Sequence, residues 1–488
     1  MTIAAATLVT NVVVPHRIRL IGVVVLLVPQ LYLPGIHAEL ATAAVLWTLS
    51  TCVMGSAARG RPAAQSPLIA IMCMFVAITV VSLLWATPDG VNSGAATAVR
   101  STVFLLWLRE VIVVAKDNPR LLDTLVMWTV PGVAAQSVLA IVFRSNPHTE
   151  QRFLNSELAP LLVGPQSVDL YTTLSNNVWY ADKAGGVFVN GNIASLLGGI
   201  AALLYIITAR RTGSRWLYWA AALAFTGTVF TGSKTAIFVA TGCAIMILLL
   251  PHMLHGFAVL AAIPVVLLLP LVTPMMMEIL QKASPEFFAR SEYSLLEGRR
   301  PIWEGASALF QDHFFLGLGF GGWAEEIVAF TSRRTPPHNF IIAAWANSGI
   351  LAALVVVAFV AATILLGLRV AASQPTVRDR RTAVLALCVV AWVFLHGMAD
   401  NTTLYGEQRT MILFALAIGY LYVMDLEVGD DDTQTVAAVT TGPGVVPIQR
   451  RATTTPTAAG GRAVTARAAS PGRGTRAAST TVSKPPVR

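Results

Sequence analysis

Polar residues interrupt this chain only at intervals. Between them lie apolar runs at 20–36, 39–57, 67–86, 97–115, 121–143, 188–208, 216–231, 235–251, 256–274, 340–368, 383–399 and 410–425. Runs of about 17 to 25 residues match the length of helix that crosses the hydrocarbon core of a bilayer. In lipid, each backbone N–H and C=O must find its partner within the segment, so such runs form helices. The pattern predicts an all-α polytopic membrane protein of about twelve transmembrane helices.

Lys and Arg set the orientation, because they are retained in cytoplasmic loops. If each run spans once, Arg17/Arg19, Arg59/Arg61, Lys116/Arg120, Arg210/Arg211/Arg215, Arg369 with Arg378/Arg380/Arg381, and an Arg-rich tail share one side. Both termini are therefore expected in the cytoplasm of a cell whose inner (cytoplasmic) membrane holds the chain. The outer side then receives 87–96, 144–187, a tight turn at 231–235, 275–339 and 400–409. Loops longer than a connection needs usually carry function. The segment 144–187 is polar and rich in Asn, Ser and Pro. The large loop 275–339, between spans nine and ten, mixes Glu, Arg and aromatics. Short surface helices are expected there, one starting at Ser284-Pro285-Glu286 and one after Arg300, where Pro301 fits a first turn and Glu304 favours the positive helix end. Residues 1–426 thus form one membrane domain. The remainder, 427–488, opens on Asp430, Asp431 and Asp432 and continues in Thr, Ala, Pro, Gly and Arg. It has too little apolar surface to fold and reads as a disordered cytoplasmic tail, either resting on anionic headgroups or without a role.

Composition agrees. The 488 residues are 55% hydrophobic and 12% charged, whereas soluble domains carry roughly twice that charge. The net charge of +9 does not point to nucleic acid, because no stripe interleaves Arg with stacking aromatics. Cys52, Cys73, Cys243 and Cys388 all fall inside apolar runs, at no metal or disulfide spacing, and read as small hydrophobes. His252 and His255 have no third ligand nearby, so no metal and no cofactor is expected. His16, Arg17 and Arg19 precede the first run without a small-residue cleavage site after it, which predicts a retained span.

Candidate chemistry gathers at the outer ends of the runs. In Gly298-Arg299-Arg300-Pro301-Ile302-Trp303 a basic pair stands against the charge rule. It either makes surface ion pairs with Glu297 or Glu304 or grips phosphate through its guanidinium forks. In Pro336-Pro337-His338-Asn339 a histidine meets the water–lipid boundary after a rigid diproline. It is idle, or it takes a proton from a sugar hydroxyl. Lys234, in Thr231-Gly232-Ser233-Lys234-Thr235, either snorkels or adds a second cation for a diphosphate. Asn190 and Asn192 open a span where apolar residues would cost less, so they either cap the helix or bind substrate. Arg100 lies near the outer end of its span and is a third candidate phosphate ligand; Arg109 and Glu110 lie deeper and are expected to pair within the bundle. His396, Asp400 and Asn401 end another span and could line an acceptor pocket.

Four stretches together resemble the membrane core of the O-antigen ligase and polymerase family. They are Gly186-Val187-Phe188-Val189-Asn190-Gly191-Asn192; Thr231 to Lys234; Gly298 to Trp303 continuing into Phe315-Leu316-Gly317-Leu318-Gly319-Phe320-Gly321; and His338-Asn339 followed by Asn347-Ser348-Gly349-Ile350-Leu351. The resemblance covers roughly 180–370, and the twelve-span layout extends it. It implies a metal-independent membrane glycosyltransferase that moves a glycan from an undecaprenyl pyrophosphate donor to an acceptor hydroxyl at the outer face, in surface polysaccharide assembly. His338 would be the base and Arg299 with Lys234 the diphosphate clamp, joined by Arg300, Arg100, Asn190, Asn192 and Asn339 as substrate contacts. The chain departs from the family at Lys234, where Arg is common, at Ala352, where a second glycine is frequent, and at Gly191, where Pro is frequent. Ligase and polymerase stay undivided at this point; they differ in whether the acceptor is a second lipid-linked glycan. A secondary transporter is the rival of another class, but it would show repeated halves and broken helices at mid-membrane. A non-catalytic scaffold would leave the His-Asn and Gly-Arg motifs unexplained.

Overall fold

A computed structural model describes residues 14–33, 42–59, 66–164, 167, 182–254, 282 and 299–440. Twelve helices organise them: α1 His16–Val25, α2 Thr42–Arg59, α3 Pro67–Val81, α4 Gly90–Asp117, α5 Pro119–Ser145, α6 Gly191–Thr212, α7 Trp216–Phe230, α8 Lys234–Met253, α9 Arg300–Asp312, α10 Phe340–Ser373, α11 Val377–Ala399 and α12 Thr410–Thr440. Shorter helical turns, among them Pro147–Leu154 and Gly322–Glu326, join them. Contacts divide the chain into Met1–Gln434 and Thr435–Arg488, the second of which is described only to Thr440. The start expected for the tail, at 427, falls within α12; residues 441–488 lie outside the described residues.

Ten apolar runs fall on α2 to α8 and α10 to α12. Among the described residues, seven helices are long and apolar enough to cross a membrane: Pro67–Trp85, α5, α6, α8, α10, α11 and Thr410–Val428. The chain is a multi-pass helical membrane protein, and the finer expectation of twelve spans goes beyond those seven. The run at 256–274 and the proposed helix start at Ser284 lie outside the described residues. The run at 20–36 is helical only in α1, whose ten residues reach about 15 Å, half a hydrocarbon core. Pro29 follows four residues later, where a continuing helix would lose a hydrogen bond. The 28-residue α4 has the length but carries Arg100, Arg109, Glu110 and Lys116.

Burial separates a centre from a rim. The most apolar windows of α6, α11 and α12 are 83%, 78% and 72% buried, against 22% for α8 and 28% for Pro67–Trp85. Small residues let the central helices close up: the Trp392 ring of α11 fills the space a side chain at Gly199 would take, and Thr228 of α7 does so at Gly198. Close backbone approach of this kind is how helices gain packing energy where lipid offers no hydrophobic drive. The rim presents apolar side chains such as Leu248, Leu249 and Leu351 outward. Glu110, deep in α4, pairs with His16 Nε2 at 2.9 Å.

A second, smaller core lies over the start of α10. Ile302, Ala306 and Leu309 of the amphipathic α9 pack with Trp323, Ile327 and Trp345, while Phe314, Phe315 and Leu316 after it stay exposed. Apolar contact on one face and exposed aromatics beside it suit a segment lying in the interface plane. This places α9 and the residues up to His338 as a cap on one end of the bundle.

Candidate active site

The residues that begin α6, α8 and α10 and end α11 meet at that capped end. At the start of α6, Asn190 accepts hydrogen bonds from the N–H groups of Asn192 (2.8 Å) and Ile193 (3.4 Å). The turn before it is tied down from three sides. Gln136 donates to the Gly185 carbonyl at 2.8 Å and accepts from the Val187 N–H at 3.0 Å. Gly185 N–H donates to Glu150 Oε1 at 3.2 Å. Arg409, almost fully buried, donates to the Val187 carbonyl at 3.0 Å and stacks 4.4 Å from the Phe188 ring. Ala184 N–H donates to the Thr231 carbonyl at 3.2 Å, which lays residues 182–184 along the turn that opens α8. Lys183 and Lys234 are thereby brought within electrostatic range of each other and of Asp182.

The glycine motif interlocks with the break in α10. Gly317, Gly319, Gly321 and Gly349 all have positive φ, between 69° and 89°, a region costly for any side chain. A side chain on Gly317 would strike the Trp345 carbonyl and one on Gly349 the Phe315 carbonyl. Leu318 N–H donates to the Ala346 carbonyl at 2.7 Å and Ile350 N–H to the Phe315 carbonyl at 3.3 Å. On the other side Thr87 N–H donates to the Phe320 carbonyl at 2.9 Å. The loop 315–321 therefore wedges between α10 and the start of α4, which fixes the first half of α10 and the residues before it.

His338 ends that fixed segment in a left-handed conformation, φ 49°. Strain in a bulky residue persists where the surroundings over-determine it, often at functional sites. Its Nδ1 is buried and lies 3.9 Å from Asp400 Oδ1, an ion-pair distance too long for a hydrogen bond. Asp400, 6% exposed, follows the last residue of α11 and accepts from the Asn401 N–H at 2.8 Å. Burial opposes its ionisation, but the facing His338, the nearby His396 and the Asn401 N–H outweigh that and hold the carboxyl down to about 2. Arg299, in the residue before α9, donates to the carbonyl of Ala399, where the negative end of α11 favours a cation. Burial lowers the Arg299 pKa and attraction to Asp400 opposes the shift. Burial likewise lowers that of Lys183, against attraction to Asp182 and Asp400 and with repulsion from Arg299. Cations desolvated in this way are primed to gain from an anion. His396 is fully buried, its Nε2 3.5 Å from Ser195 Oγ.

The structure thus brings His338, Arg299 and Asp400 together from three separate stretches, with Lys183 linking them to Lys234. Asn190 and Asn339 serve as helix caps; Asn339 accepts from Ile341 and Ile342 at 2.9 and 3.2 Å. Asn192 adjoins them, and its carbonyl accepts from Ser195 Oγ at 2.6 Å. Arg300 is exposed and pairs with Glu304 at 2.8 Å. Arg100 lies beside the Tyr405 hydroxyl, whose pKa burial raises and Arg100 lowers. Lys183 and Arg409 were not singled out from sequence. Both are cations in segments expected outside, the same breach of the charge rule that drew attention to Arg299.

Fold and site together define a helical membrane protein with a half-buried cationic cluster and a histidine–carboxylate pair at one end of its bundle. Residues 219–357, from α7 to the middle of α10 and including Lys234, Arg299 and His338, match the family model described as O-antigen ligase. Over these residues the chain is similar to the O-antigen ligase family, which supports a ligase- or polymerase-type role in surface polysaccharide assembly. No curated protein matches the chain.

Proposed function

We propose that the protein transfers a glycan from an undecaprenyl-pyrophosphate-type lipid donor to an acceptor hydroxyl at the outer face of the cytoplasmic membrane, with both of its termini on the cytoplasmic side. The observation that carries this reading is the convergence of Arg299, His338 and Asp400 on the end of α11. The acceptor oxygen attacks the anomeric carbon as the bond from that carbon to the diphosphate oxygen breaks. The electron pair leaves with the lipid diphosphate, the hydroxyl proton passes to His338, and the anomeric centre inverts. Asp400, facing Nδ1 at 3.9 Å, stabilises the imidazolium that forms when His338 takes the proton. Arg299, Lys183 and Lys234 neutralise the departing diphosphate; stabilising developing charge in this way usually accelerates a reaction more than the base does. These side chains supply the charge that divalent cations bring to other diphosphate reactions, so the transfer is metal-independent. Arg300, Arg100, Asn192 and Asn339 lie further along the same end as contacts for the glycan or the lipid headgroup.

Ligase and polymerase share this chemistry and differ in the acceptor. Deleting the gene and sizing the surface glycan separates them: single-repeat products mean a lost polymerase, and full-length glycan stranded on lipid means a lost ligase. The class of reaction is tested in proteoliposomes supplied with lipid-diphosphate glycan and acceptor. We expect one lipid diphosphate released for each glycan transferred. Saturable solute uptake without transfer would replace this reading with a transporter.

A further inference from the structure

The far end of the bundle carries a cleft that glycan transfer does not use. The end of α6, the connection from α10 to α11 and the middle of α12 around Met424 and Glu427 line a cleft of about 470 Å³, with Arg210, Arg211, Arg378, Asp379 and Thr382 among its walls. Sites for small ligands usually have this size. Its charges are unevenly matched. Arg211 is committed: it donates to Asp123 at 3.3 Å and to both carboxylate oxygens of Glu427 at 3.1 Å. Asp379 accepts from the Thr376 hydroxyl at 2.5 Å at the start of α11. Arg210 donates only to neutral oxygens among its described bonds, the Thr382 hydroxyl at 2.8 Å and the Arg378 carbonyl at 2.7 Å. The exposed Arg378 and the partly buried Arg381, whose Nε has no hydrogen-bond partner among the described residues, both lie close enough to repel it. Besides the committed Arg211, Arg210 and Arg378 therefore line the cleft, with Arg381 near enough to add to their charge and Asp379 as the carboxylate acting on Arg210.

Planar guanidinium forks match phosphate oxygens, and a rigid neutral scaffold holds Arg210 oriented in advance. The 22 residues of α6 separate this cleft from the Asn190 cap by about 33 Å, level with the headgroups of the opposite leaflet. Basic pockets between helices at that level bind lipid phosphates. We propose that the cleft binds a phosphate-bearing anion, either the headgroup of an anionic phospholipid or a free phosphate compound, and so ties the end of α6, the start of α11 and the middle of α12 together.

The test is native mass spectrometry of the full chain in detergent, titrated with phosphatidylglycerol, cardiolipin or phosphatidylcholine, with a parallel thermal-shift series in inorganic phosphate. We expect the anionic lipids to bind preferentially, and Arg378→Gln to weaken them about fivefold. Arg120→Gln, an exposed arginine at the same end, is the control for net charge and should change nothing. A phosphate-dependent thermal shift lost in Arg378→Gln would identify a soluble phosphate as the source and support the same site. Equal binding of phosphatidylcholine and phosphatidylglycerol, together with a phosphate response that Arg378→Gln leaves intact, would overturn the proposal.

Discussion

Replacing Asp400 by Asn tests the histidine–carboxylate pair with almost no change of volume. At 3.9 Å a carboxylate and an imidazolium attract by about 4 kcal/mol at an effective dielectric of about 20, and by about 1 kcal/mol in bulk water. The side chains are 28% and 8% exposed, so the pair lies between these limits. At about 1.4 kcal/mol per decade, Asp400→Asn should slow transfer by roughly fivefold to a thousandfold. The pH dependence adds a second readout. A carboxyl held at about 2, below its ordinary 3.8, contributes stability that is present above 3.8 and lost as pH falls toward 2. Asp400 therefore stays ionised from pH 5 to 9, and any rate change in that window belongs to other groups. The assay is single-turnover glycan transfer in proteoliposomes, with His338→Ala and the double variant alongside. If the residues act as a unit, the double variant loses little beyond His338→Ala alone. Transfer by a folded Asp400→Asn protein within threefold of wild type, or fully additive losses, would refute the pairing.

Other expectations concern the scaffold. Gly317→Ala and Gly349→Ala each force a side chain onto a carbonyl at positive φ, and should destabilise by about 3 kcal/mol or more, seen as lost folded yield or a lowered Tm. Asn339→Asp keeps the cap and removes an amide donor, whereas Asn339→Ala costs about 1 kcal/mol of capping; equal loss of transfer in both would mark a substrate contact, and loss of stability in Ala alone would mark a cap. Burial raises Glu150 from 4.5 to about 7 against the Gly185 hydrogen bond, so its contribution to stability is present below 4.5 and declines as pH rises toward 7. Glu150→Gln should then raise Tm at pH 8, by up to roughly 3 kcal/mol of stability, and leave it nearly unchanged at pH 5; an unaltered slope of Tm with pH would exclude this role.

The apolar helices and the candidate chemistry stood out in the sequence because both follow from local rules. An apolar run must be helical in lipid wherever it packs, and Arg299 and Lys234 stood out by breaking the charge distribution. His338 was visible as a histidine at a helix start after two prolines. What could not be read was which distant stretches meet. Nothing local places Asp400 opposite His338, or Ala399 under Arg299, since those contacts cross about 60 to 100 residues of chain. The Gly-rich motif was legible as a motif but not as a wedge against α10, because its partners are backbone carbonyls that any residue supplies. Asn190 and Asn339 were ambiguous for the opposite reason: capping is a local hydrogen bond and needs no distant partner. Lys183 and Arg409 obeyed the criterion that selected Arg299 and would have been found by applying it to every outer loop.

The most direct measurement is donor turnover by purified Arg299→Ala and His338→Ala proteins in proteoliposomes carrying lipid-diphosphate glycan. We expect both variants to insert and fold, and both to lose transfer to a similar degree, because the leaving diphosphate and the attacking hydroxyl are served by different members of one site. Near wild-type transfer by the Arg299→Ala protein would contradict the diphosphate clamp.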